Sequence, residues 1–206
     1  MIRQFTNGYF TELKRTLEEI SMEKVERIVE MIYEAYRDNK YVFIMGNGGS
    51  ASTASHFACD LGKGTICEGK PRFRVMSLND NMPLITALSN DFGYERVFIE
   101  QLMNLVNPGD LVISITGSGN SPNILKAVEY AKNQGAKTIG LIGFGGGVLK
   151  EMVDEHITIS NTNYGQVEDI HLMLAHAISQ YFKGLIENHS NFFAPRSNVL
   201  LARIKI

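Results

Sequence analysis

Thr116-Gly117-Ser118-Gly119-Asn120-Ser121, followed at once by Pro122, is the stretch that decides the fold. Before it, Asp110-Leu111-Val112-Ile113-Ser114-Ile115 is a short, β-branched apolar run that reads as a buried strand. After it, Ile124, Leu125, Val128 and Ala131 recur at helical spacing. Ser121 stands where an N-cap belongs, and Pro122 at the first helical position, where proline is tolerated. The reading is strand, tight turn, helix. Such a turn offers free backbone N–H groups, hydroxyls and the positive end of the helix dipole. That is the chemistry of an anion site, and phosphate is its usual occupant.

The same grammar extends outward. Upstream, Tyr41-Val42-Phe43-Ile44-Met45 reads as a first buried strand, closed by Gly46-Asn47-Gly48-Gly49-Ser50 and a helix through about Leu61. A second strand is expected at residues 73–77. Helices follow at 82–90 and 94–106, separated by Asn90-Asp91-Phe92-Gly93, and Asn107-Pro108-Gly109-Asp110 is a turn. Downstream come a helix at 122–134, a strand at 137–142, a short helix, a strand at 156–160 and a long helix at 166–187. The glycine-rich loop at 143–147 lacks hydroxyls and reads as flexible. Strands alternating with helices imply a mostly parallel sheet covered on both faces.

Residues 1–38 read as two amphipathic helices. Phe5, Tyr9, Leu13 and Leu17 form one stripe; Val25, Ile28, Val29, Ile32 and Tyr33 form another after a Ser21 N-cap. Their apolar faces need a partner, either the body of the domain or another subunit. Residues 1–187 form one domain. Residues 188–206 are a polar linker with an apolar end, either a docked strand or a tail.

Composition narrows the function classes. With 20 basic and 22 acidic residues the formal net charge is −2, which gives no electrostatic case for nucleic acid or a membrane surface. Cys59 and Cys67 make neither a disulfide framework nor a metal knuckle. The N-terminus lacks a signal-peptide core and no apolar run approaches 18 residues, so the expectation is a soluble, cytoplasmic protein.

Three further patterns carry chemistry. Gly46-Asn47-Gly48-Gly49-Ser50-Ala51 formally fits the dinucleotide fingerprint, but no acidic residue closes a second strand about twenty residues on. The better use is a second phosphate-facing turn, with Ser50 at a helix start, so that two turns hold one ligand at the carboxyl edge of the sheet. His56 and Asp60, four apart, share a helix face. Glu168, Asp169, His171 and His176 sit on the long last helix, where Glu168 and His176 can point the same way. Imidazoles and carboxylates suit a cation such as zinc, equally a proton-transfer pair, and equally surface hydrogen bonds.

Gly46-Asn47-Gly48-Gly49-Ser50, His56-Phe57-Ala58, Asn90-Asp91-Phe92-Gly93, Ser118-Gly119-Asn120-Ser121 and Ile170-His171 with His176 resemble, in order, the motifs of the sugar isomerase (SIS) domain family. The closest likeness is to its phosphoheptose isomerase branch, over roughly residues 5–187. The resemblance implies a three-layer α/β fold with a five-stranded parallel, flavodoxin-like sheet, an N-terminal helical pair, and a homotetramer with active sites between subunits. It implies conversion of sedoheptulose 7-phosphate to D-glycero-D-manno-heptose 7-phosphate through a cis-enediol.

Carried over residue by residue, Thr116, Gly117, Ser118 and Ser121 would hold the phosphate. Asn47, Gly48 and Ser50 would help, and Asp91 would bind sugar hydroxyls. Asp60 stands at the position of the base and His176 at that of the acid. His56, Asp60, Glu168 and His176 stand at the zinc positions, with Glu168 also near substrate. The chain departs from the family in three places: Asp60 replaces a glutamate, Glu168 a glutamine, and Gly165 an aspartate. The departures leave open a related substrate, or a non-catalytic sugar-phosphate-binding regulator of the kind that associates with a replication initiator.

Overall fold

The computed structural model describes residues 1–187; the expectation for residues 188–206 lies outside them. Five strands form one parallel sheet: β1 (Tyr41–Gly46), β2 (Arg74–Ser77), β3 (Leu111–Thr116), β4 (Lys137–Ile142) and β5 (Glu155–Thr158), in the order β2-β1-β3-β4-β5. The central strands are buried on both faces, which is why they read as continuous apolar runs. Alternate residues feed two cores. Val42, Ile44, Ile113, Ile115, Ile139 and Leu141 face one; Phe43, Met45, Val112 and Ile142 face the other.

Helices cover both faces. On the first lie α2 (Met22–Arg37), α3 (Gly49–Cys59) and α8 (Tyr164–Ile186), through Ile28, Ile32, Phe57, Ile170, Ile178 and Phe182. On the second lie α5 (Ile99–Leu105) and α6 (Pro122–Asn133), through Leu102, Ile124, Ala127, Val128 and Ala131. The remaining helices are α1 (Ile2–Glu18), α4 (Met82–Phe92) and α7 (Leu149–Met152). The three-layer α/β fold with an N-terminal helical pair stands as expected. Ser21 caps α2 through Lys24 N–H. The α1 stripe is covered only in part: Leu13 and Leu17 pack on the first core, while Phe5 remains 68% exposed.

The helix expected at 94–106 is a 3₁₀ turn, Tyr94–Arg96, followed by α5, and α4 runs on to Phe92. Two further details differ from the sequence reading. The helix after β1 does not run evenly to Leu61. It widens at Asp60 into a single π-helical turn, Asp60–Gly64, a distortion that sequence periodicity does not register. The 143–147 loop is not loose. Gly143 N–H donates to Thr116 O (3.0 Å), Leu149 N–H to Gly119 O (3.0 Å) and Val148 N–H to Asn120 Oδ1 (2.9 Å), so this loop clasps the turn after β3. A Cβ on Gly119 would overlap the Gly146 carbonyl oxygen, and one on Gly147 would overlap the Ser118 oxygen. Backbone fits backbone with no room for a side chain.

Candidate active site

α3, which follows β1, falls on the first face, and α6, which follows β3, on the second. The chain therefore parts between two adjacent strands, opening a crevice at their carboxyl ends, the usual ligand position in such sheets. The 46–50 and 116–121 turns both open onto it, and the first turns of α8 close over it. Tyr164 packs on Gly117, where a Cβ would come within 2.7 Å of its ring, and lies edge-to-face with Phe144 (4.6 Å).

The 116–121 turn has the parts of an anion cradle. Thr116 is buried and braces the turn by accepting from Gly119 N–H (3.3 Å); Ser118 Oγ accepts from Asn120 N–H (3.2 Å). Ser121 occupies the N-cap of α6 with Pro122 after it, yet its side chain makes no capping bond. Among the described residues its hydroxyl makes no hydrogen bond, beside the helix N-terminus.

The 46–50 turn is less open than the 116–121 turn. Ser50 is buried against the end of β1, where a Cβ on Gly46 would overlap it. The Glu168 carboxylate lies over Gly49, the first residue of α3. A negative group thus already occupies the positive end of that helix, which is where a dinucleotide would put its pyrophosphate.

Asn47 is held instead by its neighbours. It exchanges two amide hydrogen bonds with Asn123 (2.9 Å each), and Tyr94 Oη donates to its Oδ1 (2.8 Å). Asp91 is exposed, its Oδ1 accepting from Asn90 Nδ2 (2.9 Å). Neither Tyr94 nor Asn123 is legible as a site residue in sequence. The signal for Asn123 is slight: an asparagine just inside a helix whose cap position is already taken.

α3 and α8 run side by side in the same direction, since Gly49 meets Glu168 and His56 meets His176. At the second meeting point the two imidazole Nε2 atoms are 2.9 Å apart, and Asp60 Oδ2 stands 3.4 Å from His56 Nε2 and 3.8 Å from His176 Nε2. All three side chains reach solvent. Ligand atoms held at about 2.0–2.1 Å in a tetrahedral shell stand about 3.3 Å apart, and the observed separations bracket that value. Two imidazoles and a carboxylate with one side open form a donor set that fits a divalent cation of the zinc class.

Glu168 is not in this cluster. Two turns of α8 separate it from His176, and the packing of the helices puts its carboxylate at the start of α3. The expected four-residue set becomes three.

Two more site-adjacent groups carry electrostatic information. His171, five residues before His176 and 1% exposed, makes no well-formed hydrogen bond through either ring nitrogen among the described residues; burial pushes it down to about 4. Asp169 accepts from Tyr9 Oη (2.6 Å) and holds that phenol up at about 12, pinning α1 to α8. Two surface clefts, one between α1 and residues 161–166 and one between α3, β2 and α4, contain none of these groups but Tyr9.

The profile of the SIS domain family matches residues 8–143. Among curated proteins, the phosphoheptose isomerase of Trichlorobacter lovleyi is 38% identical over 75% of this chain and 78% of its own. That of Helicobacter pylori is 37% identical over 81% and 85%. Among solved structures, the phosphoheptose isomerase of Neisseria gonorrhoeae superimposes with a TM-score of 0.82 at 26% identity, covering 89% of this chain and all of that one.

Proposed function

The chain belongs to the SIS domain family, and from that premise we propose that its crevice interconverts sedoheptulose 7-phosphate and D-glycero-D-manno-heptose 7-phosphate. It is a sugar-phosphate isomerase. The observation that carries the residue assignment is the meeting of His56, Asp60 and His176 beside a separate anion cradle at residues 116–121. A site built only to bind needs the cradle alone, so this convergence favours the enzyme over the non-catalytic regulator.

The roles follow from chemistry. The 116–121 turn and the α6 N-terminus bind the phosphate through N–H groups and the Ser118 and Ser121 hydroxyls. A ketose and an aldose exchange when a proton moves between C1 and C2 through an enediol, which requires a base at carbon and a proton shuttle at oxygen. Asp60 supplies the base: Oδ2 faces the imidazoles, while Oδ1 takes no hydrogen bond among the described residues. His176 carries the proton on oxygen through Nδ1, since Nε2 is the nitrogen that faces His56 and Asp60. His56, Asp60 and His176 would hold a zinc ion, which when bound supplies Lewis-acid polarisation of substrate oxygens.

Two further features belong to the same proposal. A homotetramer is supported by Ile2, Phe5 and Phe10, which are exposed on α1 among the described residues. Among the described residues no helix is long and apolar enough to cross a membrane, in keeping with a cytoplasmic site of action.

The test is direct. Purified protein incubated with sedoheptulose 7-phosphate should form the aldose, followed by NMR. Asp60→Asn and His176→Ala should each lower kcat by at least about a hundredfold. Chelation should remove activity and zinc restore it. Wild-type turnover unaffected by either substitution would overturn the residue roles, and no turnover at all the reaction.

A further inference from the structure

Asn47, Asn123 and Tyr94 form a chain of amides and a phenol whose orientation the backbone settles. Asn123 is 2% exposed and is the second residue of α6; its Oδ1 accepts from the backbone N–H of Ile124 (3.0 Å). A flipped Asn123 would aim an NH2 group at that N–H, so the carbonyl must face it. With Asn123 fixed, Asn47 must offer Nδ2 to Asn123 Oδ1 and accept from Asn123 Nδ2 on its own Oδ1 (2.9 Å each). Tyr94 Oη, 2.8 Å from the same Oδ1, is then a donor. Both lone pairs of the Asn47 carbonyl are filled and one of its two amide hydrogens is used. What remains is one N–H, on a half-buried side chain bonded to the first turn of the helix that caps the anion cradle.

We propose that Tyr94 is a positioning residue that acts through Asn47. With Asn123 it locks the Asn47 amide so that its single unspent N–H donates to an oxygen of the sugar phosphate's phosphoryl group, and no acceptor faces that group. This deepens the isomerase reading and rests on its phosphate-binding half. A locked donor discriminates: it serves an anionic oxygen, whereas a freely flipping amide would tolerate a donor ligand as well.

Four proteins decide it: wild type, Tyr94→Phe, Asn47→Ala and the double variant. Each is titrated with inorganic phosphate by calorimetry and assayed with sedoheptulose 7-phosphate. Tyr94→Phe should weaken phosphate binding and raise KM by about three- to tenfold, the loss of one neutral hydrogen bond, with kcat within twofold. Tyr94 is 53% exposed, so Tm should not move. On the Asn47→Ala background Tyr94→Phe should add nothing, because its effect passes through the missing amide. Additive losses, an unchanged phosphate affinity in Tyr94→Phe, or a wild type that binds no phosphate each overturn the inference. A wild type that binds phosphate in this pattern yet turns over no sugar overturns the isomerase reading and leaves this one standing.

Discussion

Acidification should destabilise this fold, and the largest single contribution comes from His171. It is 1% exposed on the core face of α8, and among the described residues neither ring nitrogen makes a well-formed hydrogen bond, the backbone at Ile142 offering only a weak one. Burial lowers it from the ordinary 6.5 to about 4, the backbone near Ile142 offsetting only part of that cost. Above pH 6.5 the imidazole is neutral in both folded and unfolded chains and contributes no pH dependence. Between 6.5 and 4 the unfolded chain takes a proton that the folded chain refuses, so stability falls as pH falls. Below about 4 both states are protonated and the loss is complete. Integrating the two titrations gives about 2.5 kcal/mol lost between pH 7.5 and 4.5. Urea unfolding at fixed protein concentration, repeated across that range, isolates this contribution when wild type is compared with His171→Leu, since every other titrating group cancels in the difference. At pH 7.5 the two should lie within about 1 kcal/mol, because an apolar side chain replaces an unpartnered polar one. At pH 4.5 the variant should be the more stable by about 2 kcal/mol or more. Parallel stability curves would refute the reasoning, and with it the claim that His171 is held neutral.

The other consequences are more local. Gly119→Ala should cost about 3 kcal/mol and abolish phosphate binding, because the residue has φ +67° and its Cβ would overlap the Gly146 carbonyl; calorimetry and urea unfolding that match wild type would contradict the interlocked turn. Glu168→Gln should cost only about 0.5 kcal/mol, the value of a carboxylate at a helix N-terminus, and leave zinc affinity within threefold. A tenfold fall in zinc affinity would return Glu168 to the ligand set.

The parts of this molecule that sequence displays are those governed by local pattern. The central strands show because burial on both faces demands an apolar run, and the anion turn because hydroxyls and glycines stand between a strand and a capped helix. What sequence hides depends on how helices are placed against one another. An eight-residue spacing puts Glu168 and His176 on one face of α8, but only the register of α8 along α3 sends one to Gly49 and the other to His56. The 143–147 glycines read as looseness because their cause, the backbone of a second loop, lies some thirty residues away in the chain. Tyr94 and Asn123 both meet at Asn47, and no spacing rule relates them. The burial of His171 was within reach: it falls on the apolar stripe of Val167, Ile170 and Leu174.

The clasp between the 116–120 and 143–149 loops also bears on how such an enzyme can be redesigned. It is made largely of main-chain atoms, so there is almost no side chain in it to exchange, and an insertion or deletion in one loop would have to be matched in the other. The handle end is in that sense frozen. Diversification toward a different carbon skeleton has to be written into the opposing faces of α3 and α8, in side chains around His56, Asp60 and His176 rather than in the main chain.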